Sequence, residues 1–246
     1  GILIEYDSNK NHKKEIYNVS SRVVNSEIGI SFIGAGSYAQ SNLLPNISNI
    51  KKINRIGVLT NSGTTSRRVA EKFKFNYCTD NLDDLLNDKN CNTIFITTRH
   101  DSHYDFVIKC LKSNKNIFVE KPLCLNVNQL DNICKAYKNS KSTIFVGYNR
   151  RFSPFAKIIK SKFDSKNLII NYRINAGYIG GESWIQDKDI GGGRIIGEVC
   201  HFIDFISFLN GSNVQSVSAI NLDTPENNLD NLIVNLKYEN GSIANI

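Results

Sequence analysis

The chain has 246 residues, 41% of them hydrophobic and 22% charged, and carries a net charge of +7. That length can bury a substantial core in one or two domains. No apolar run nears membrane-spanning length and the start lacks a basic-then-apolar leader, so the cytoplasm is the default expectation. The lysines are spread over the chain without an aromatic-interleaved stripe, so no nucleic-acid partner is expected. A positive field would instead suit a phosphorylated cofactor or an anionic sugar. Six cysteines are scattered with no CxxC pair, which predicts buried free thiols and neither a metal site nor a disulfide framework.

Residues 1–27 read as a linker or the tail of a preceding domain, with a strand at Ile2–Tyr6 and a weak extended segment at Ile16–Val24. From Ile28 the chain alternates. Strand 28–33 runs into Gly34-Ala35-Gly36-Ser37-Tyr38-Ala39 and a helix over about 38–47. In this pattern Gly34 permits a tight turn and Gly36 lets backbone approach a pyrophosphate. The first helical turn, at Ser37 and Tyr38, then offers N–H groups to it. Strands at 55–60, 93–97, 116–119 and 143–147 follow, separated by helices near 64–73, 80–87, 102–113 and 127–138. Short apolar strands between helices of 3.6-residue period predict a parallel sheet covered on both faces.

After Tyr148 the texture changes. A helix starts at Ser153-Pro154, a strand spans 168–174, and a glycine-rich loop covers 177–193. An apolar helix runs over 195–209 to Asn210-Gly211, and strands at 214–221 and 229–238 lead into a hairpin turn at the C-terminus. The fold expected is α/β: a dinucleotide-binding domain at 28–148, then a partial C-terminal domain at 149–246 with an open, largely antiparallel sheet. So short a sheet leaves an uncovered edge, which reads as truncation.

Two clusters carry chemistry. Lys121 follows a central strand and precedes Pro122, so it is aimed at the edge where parallel sheets bind ligands, and could serve a reacting hydroxyl. It could equally be an exposed loop lysine. The run Gly191-Gly192-Gly193-Arg194-Ile195-Ile196-Gly197-Glu198-Val199-Cys200-His201 brings a close-approach loop to a helix bearing Glu198, His201 and Asp204 at i,i+3 spacing. His201 could take a hydroxyl proton with a carboxylate fixing its tautomer, or it could be a hydrogen-bonded core histidine. Thr60 and Asn61 end the second strand where an NAD site normally carries a carboxylate. With Arg67 and Arg68 nearby, this favours NADP over NAD, unless both arginines only line a solvated helix face.

Phe32-Ile33-Gly34-Ala35-Gly36, Phe118-Val119-Glu120-Lys121-Pro122-Leu123 and the Gly191–His201 run together resemble the glucose-fructose oxidoreductase/inositol dehydrogenase family over about residues 28–246. The resemblance implies an NAD(P)-dependent oxidoreductase acting on a hydroxyl of a sugar or nucleotide sugar, with an open C-terminal sheet that forms a homo-oligomer face. It assigns Lys121 to substrate and nicotinamide contact and His201 to acid/base chemistry, and adds Glu120, Thr97, Thr98 and His103 as cofactor contacts. Arg151 could bind a substrate phosphate or carboxylate or form a salt bridge. Tyr178 and Trp184 could pack on a sugar or lie in the core. The family places aspartate four residues before the histidine. Here Gly197 stands there, and Glu198 is turned about 100° away along a helix. The runs from Gly147 to Pro154 and from Gly193 to His201 are similar to a branch fused behind a zinc-type dehydrogenase-like domain, often in surface-polysaccharide biosynthesis. A dinucleotide-binding regulatory module without turnover is the alternative.

Overall fold

The computed structural model describes residues 17–18, 28–50, 52–163, 167–223 and 230–246. The strand expected at 2–6 falls outside the described residues, as does all of 1–27 except 17–18. The chain forms two compact units, one made of residues up to Thr97 with 113–116, the other of 98–112 with 117–246.

The first unit contains β1 (Tyr17–Asn18), β2 (Ile28–Ile33), α1 (Leu44–Ser48), β3 (Ile53–Leu59), α2 (Gly63–Phe73), β4 (Tyr77–Thr79), α3 (Leu82–Asn87) and β5 (Thr93–Ile96). The strands lie in the order β1-β4-β3-β2-β5. β2 is parallel to β3 and β5, β4 is parallel to β3, and β1 is antiparallel to β4. β2 is central and buried from Gly29 onward, and its Phe32 stacks on Phe95 and meets Phe75 edge-on. β4 is too short for a periodicity signal. It finds its place because Gly57 has no side chain: a Cβ there would lie 2.7 Å from the Tyr77 ring. The helix expected over 38–47 is a π turn at Ala39–Leu43 running into α1. Pro45, in the first turn of α1, has no N–H to continue the regular ladder.

The second unit contains α4 (His100–Lys112), β6 (Asn116–Val119), α5 (Val127–Lys138), β7 (Ile144–Val146), a 3₁₀ turn (Asn149–Phe152), α6 (Pro154–Phe163), β8 (Ile169–Asn171), α7 (Cys200–Asn210), β9 (Val214–Asn221), β10 (Leu232–Tyr238) and β11 (Ile243–Asn245). β6 and β7 are parallel. Asn126 caps α5 by accepting the Gln129 N–H (3.0 Å), and Ser153 caps α6 by accepting that of Ala156 (3.1 Å). The helix expected over 195–209 is again two pieces, a π turn at Ile195–Val199 and then α7, which ends at Gly211 with φ 70°. The second sheet has the order β8-β11-β10-β9, with β10 antiparallel to both neighbours and β11 parallel to β8. Val234, Leu236 and Tyr238 turn inward onto Ile206 of α7, whereas every residue of β9 is exposed. This is the largely antiparallel open sheet expected after a parallel dinucleotide-binding one.

The thiols depart from the all-buried expectation. Cys78, Cys91 and Cys110 are buried, Cys124 and Cys200 are half-buried, and Cys134 is exposed. In α5 the buried position is Ile133, which leaves the adjacent Cys134 on the outer face. Among the described residues, no helix is long and apolar enough to cross a membrane.

Candidate active site

The first unit holds the glycine turn that the sequence assigns to a pyrophosphate. Where β2 ends, Gly34 adopts φ 82°, a left-handed turn that suits glycine. Its N–H donates to the Leu59 carbonyl (2.8 Å), and its own carbonyl accepts the Thr97 hydroxyl (2.9 Å). The turn is thus pinned to β3 and β5 together. A Cβ at Gly36 would meet nothing within 4 Å, so the backbone there is bare and open to a ligand. Ser37 and Tyr38 follow as exposed residues. At the end of β3, the Thr60 hydroxyl is hydrogen-bonded to Ser66 Oγ (2.8 Å) and donates to the Ser62 carbonyl (2.9 Å). Arg67 is engaged with Glu71 one turn along α2 (2.9 Å), both side chains about half exposed, which is the solvated-face reading. Asn61 and Arg68 are exposed.

The second unit holds Lys121 and His201, the candidate reactive groups. Lys121 donates from Nζ to the carbonyl of Gly197 (2.6 Å), which ties the turn after β6 to the π turn before α7. His103 is fully buried, with Nδ1 2.7 Å from the Pro122 carbonyl and Nε2 3.1 Å from that of Thr98. It therefore braces the Lys121-Pro122 turn and has no ring nitrogen left for a cofactor. The Thr98 hydroxyl accepts that of Ser102 (2.6 Å). His201, at 9% exposure, has a buried Nδ1 with no hydrogen-bond partner. Burial, then the charges of Lys121 and Arg150, lower its pKa to about 4, so the ring is neutral at pH 7. Glu120 is raised to about 7 by burial, against the pull of Lys121, and its Oε1 is also buried without a partner. Gly147 makes room for that carboxyl, since a Cβ there would sit 2.9 Å from Oε1.

The idea that a carboxylate from the same helix orients His201 is corrected by the structure. Asp204 receives both Arg151 Nε (3.0 Å) and Arg151 Nη2, so Arg151 takes its salt-bridge alternative. Glu198 is held by Arg194 at 2.6 and 2.8 Å. Each carboxylate has a guanidinium within reach, and two charge-assisted bonds to a planar fork outcompete one to a neutral imidazole. Tyr178 is 78% exposed. It lines a cavity of about 390 Å³ with Glu198, Arg194, Phe202 and Asp230, but neither Lys121 nor His201 lines it. The unpartnered buried nitrogen lies instead at His201. Trp184 packs edge-on to His100 (4.9 Å) beneath the Arg99 guanidinium.

Sequence reasoning missed His100, Arg150 and Tyr148. Tyr148 meets His201 edge-on at 6.0 Å and is hydrogen-bonded to Cys200, and burial raises its pKa. Their one-dimensional signal was only adjacency to the motifs.

The buried histidines set the acid stability. His100 and His201 fall from 6.5 to about 4 and His103 also falls, all chiefly through burial. Below pH 6.5 the unfolded chain binds protons that the folded one refuses, so their stabilising contribution is lost as pH falls from 6.5 toward 4. Glu120 acts in the opposite sense, losing stability as pH rises from 4.5 through about 7. Three groups outweigh one. Thermal melts should show a midpoint lower by roughly 5 °C or more at pH 5 than at pH 7. A flat profile over that range would show that these rings are not held neutral.

Comparison with known proteins places both units in one family. The oxidoreductase family with an NAD-binding Rossmann fold matches residues 28–148, and the GFO/IDH/MocA C-terminal domain matches 167–246. An NAD-binding protein from Listeria innocua superposes with a TM-score of 0.76 at 26% identity, over 90% of this chain and 66% of that one. Levoglucosan dehydrogenase, in complex with NADH and L-sorbose, superposes with a TM-score of 0.74 at 19% identity, over 89% of this chain and 66% of that one. The myo-inositol 2-dehydrogenase of Thermotoga maritima is 23% identical over 194 residues, 72% of this chain and 55% of its own length. The chain spans between 42% and 66% of the first three curated relatives it matches. With both domain matches in chain order, the protein belongs to the Gfo/Idh/MocA oxidoreductase family.

Proposed function

We propose that the protein is an NAD(P)-dependent oxidoreductase acting on a secondary hydroxyl of a sugar or nucleotide sugar, with a Rossmann domain at 28–148 and a substrate domain at 149–246. The observation that carries this reading is the neutral, buried, unpartnered Nδ1 of His201 in the same unit as Lys121. A neutral imidazole with a vacant lone pair or N–H is equipped to exchange a proton with a hydroxyl. The Lys121 ammonium, aimed by the Gly197 carbonyl, stabilises the negative charge that develops on the substrate oxygen as its proton leaves.

The bare backbone at Gly36 and the left-handed turn at Gly34 fit the pyrophosphate of a dinucleotide. Gly34, Gly36, Ser37 and Tyr38 would hold that pyrophosphate, and Thr60 and Asn61 the adenosine ribose. The bound nicotinamide supplies a hydride acceptor or donor. The absence of a carboxylate in Thr60-Asn61-Ser62-Gly63 leaves a 2′-phosphate unopposed, which supports NADP. The pairing of Arg67 with Glu71 removes one of its two arginines and narrows that preference to Arg68.

Residues of the second sheet with no apolar cover support self-association. Ile169, Val217, Ile220 and Ile233 are 79%, 64%, 71% and 53% exposed. A second copy would bury them. The motif wording of the surface-polysaccharide branch supports a place in building such a polymer.

Fluorescence titration with NADH and NADPH tests the cofactor assignment. Binding of one of them with a Kd of roughly micromolar or tighter is expected. Millimolar or absent binding of both would remove the basis for an enzyme. Normal nucleotide binding in Lys121→Ala with no sugar oxidation detectable in the wild type would favour a binding module.

A further inference from the structure

His100 opens α4 and is 8% exposed. Its Nδ1 lies 2.8 Å from the carbonyl oxygen of Gly191, and the next residue, Asp101, donates its backbone N–H to the carbonyl of Ile190 (3.0 Å). The first turn of α4 thus grips two successive carbonyls of the glycine-rich loop. A carbonyl can only accept, so Nδ1 carries the proton. Burial holds the pKa of this ring at about 4, which leaves it neutral and fixes that tautomer at pH 7. The loop itself has no slack. A Cβ on Gly191 would lie 2.4 Å from the carbonyl oxygens of both Trp184 and Ile185. The Gly191 and Gly192 amides both donate to the Asp187 carbonyl, at 2.8 and 2.9 Å.

The same imidazole closes the far end of this segment. A Cβ on Gly197 would sit 3.1 Å from His100 Cε1 and 3.6 Å from both His100 Nδ1 and the Gly191 oxygen. The ring therefore fills the space that a side chain at 197 would need. Gly197 is also the residue whose carbonyl accepts the Lys121 ammonium. On the other side, Trp184 meets the ring edge-on and limits its retreat.

We propose that His100 is a positioning residue for Lys121: by donating to Gly191 and packing against Gly197, it fixes the turn whose carbonyl aims the lysine. The inference rests on the role proposed for Lys121, and it accounts for the departure at position 197. A carboxylate-bearing side chain there would claim the volume of the imidazole, so histidine at 100 and aspartate at 197 exclude each other.

The test needs no substrate. Acetic anhydride labelling of the full chain, read peptide by peptide by mass spectrometry, reports how firmly each lysine is held. His100→Ala should speed Lys121 labelling roughly three- to tenfold, the change that one net hydrogen bond represents. The exposed Lys135 should be unaffected. Gly197→Ala should act in the same direction by displacing the ring. His100→Asn, whose Nδ2–H can replace Nδ1–H, should return Lys121 to within about twofold of wild type. A variant that merely unfolds would also speed the buried Lys115 and would be identified by its circular dichroism. In that event the Asn and Gly197→Ala variants carry the test. Unchanged Lys121 labelling in folded His100→Ala or Gly197→Ala protein would overturn the proposal. NADH and NADPH titrations of the wild type separate the two readings. Freed Lys121 without nucleotide binding sinks the enzyme and leaves the positioning intact, whereas nucleotide binding with unmoved Lys121 does the reverse.

Discussion

Replacing His201 by asparagine should lower sugar-hydroxyl turnover about 10²–10⁴-fold, the range that a positioned acid/base contributes, with little change in NADH or NADPH affinity. Asparagine keeps the polarity and much of the volume, so the loss reports proton transfer and not collapse of α7. The wild-type pH profile carries a second signature. With the imidazole held to about 4 by burial and by the charges of Lys121 and Arg150, its basic form persists well below the ordinary histidine range. The acid limb of kcat/KM that belongs to this residue should therefore fall below pH 6.5. A steady-state profile of the wild type beside His201→Asn checks both. Turnover within about threefold of wild type in the variant would place the proton elsewhere, with Lys121 the next candidate.

Gly29→Ala should leave little folded protein, while Gly36→Ala should fold normally and lose dinucleotide affinity. The two glycines lie at opposite ends of β2, Gly29 near its start and Gly36 beyond its last residue, and differ in what surrounds them. A Cβ on Gly29 would be 1.7 Å from the Asn90 carbonyl oxygen and 2.9 Å from its carbon, both backbone. Gly29 cannot shift away, because its carbonyl accepts the Asn92 N–H at 3.0 Å and its strand is held in register on both sides. A buried backbone clash at a central strand belongs to the most damaging class of substitutions, at about 4 kcal/mol or more. At Gly36 nothing lies within 4 Å of the added methyl. Stability should stay within about 0.5 kcal/mol of wild type, yet the methyl stands where a pyrophosphate must approach. Thermal melts and nucleotide titrations on the pair check this. Equal stability in the two variants would refute the packing account, and unchanged affinity in Gly36→Ala would refute the cradle.

Much of this was legible in one dimension, for identifiable reasons. β2, β6, α5 and β9 take the bounds their patterns indicate, because strand alternation, apolar runs and the Asn126 cap are local signals. Gly34, Gly36 and Lys121 could be placed at strand ends because a glycine turn or a proline terminates the ladder within a residue or two. Other features had no local signal. β4 is a three-residue strand that exists because Gly57 admits the Tyr77 ring, and the breaks that split two expected helices into π and α pieces depend on surroundings.

The amino-acid order by itself determined the family, the alternation of strands and helices, and which residue types stand ready for proton and phosphate chemistry, because each of those depends on neighbours a few positions apart. Tertiary structure alone decided how the charges pair. Asp204 and Glu198 lie at the right helical spacing to serve His201, yet each is taken by an arginine, one of them 53 residues distant along the chain. It also decided what His100 touches, by bringing its ring across 91 residues to Gly191. Hydrogen-bond competition and excluded volume act through space, and no spacing along the chain encodes their outcome.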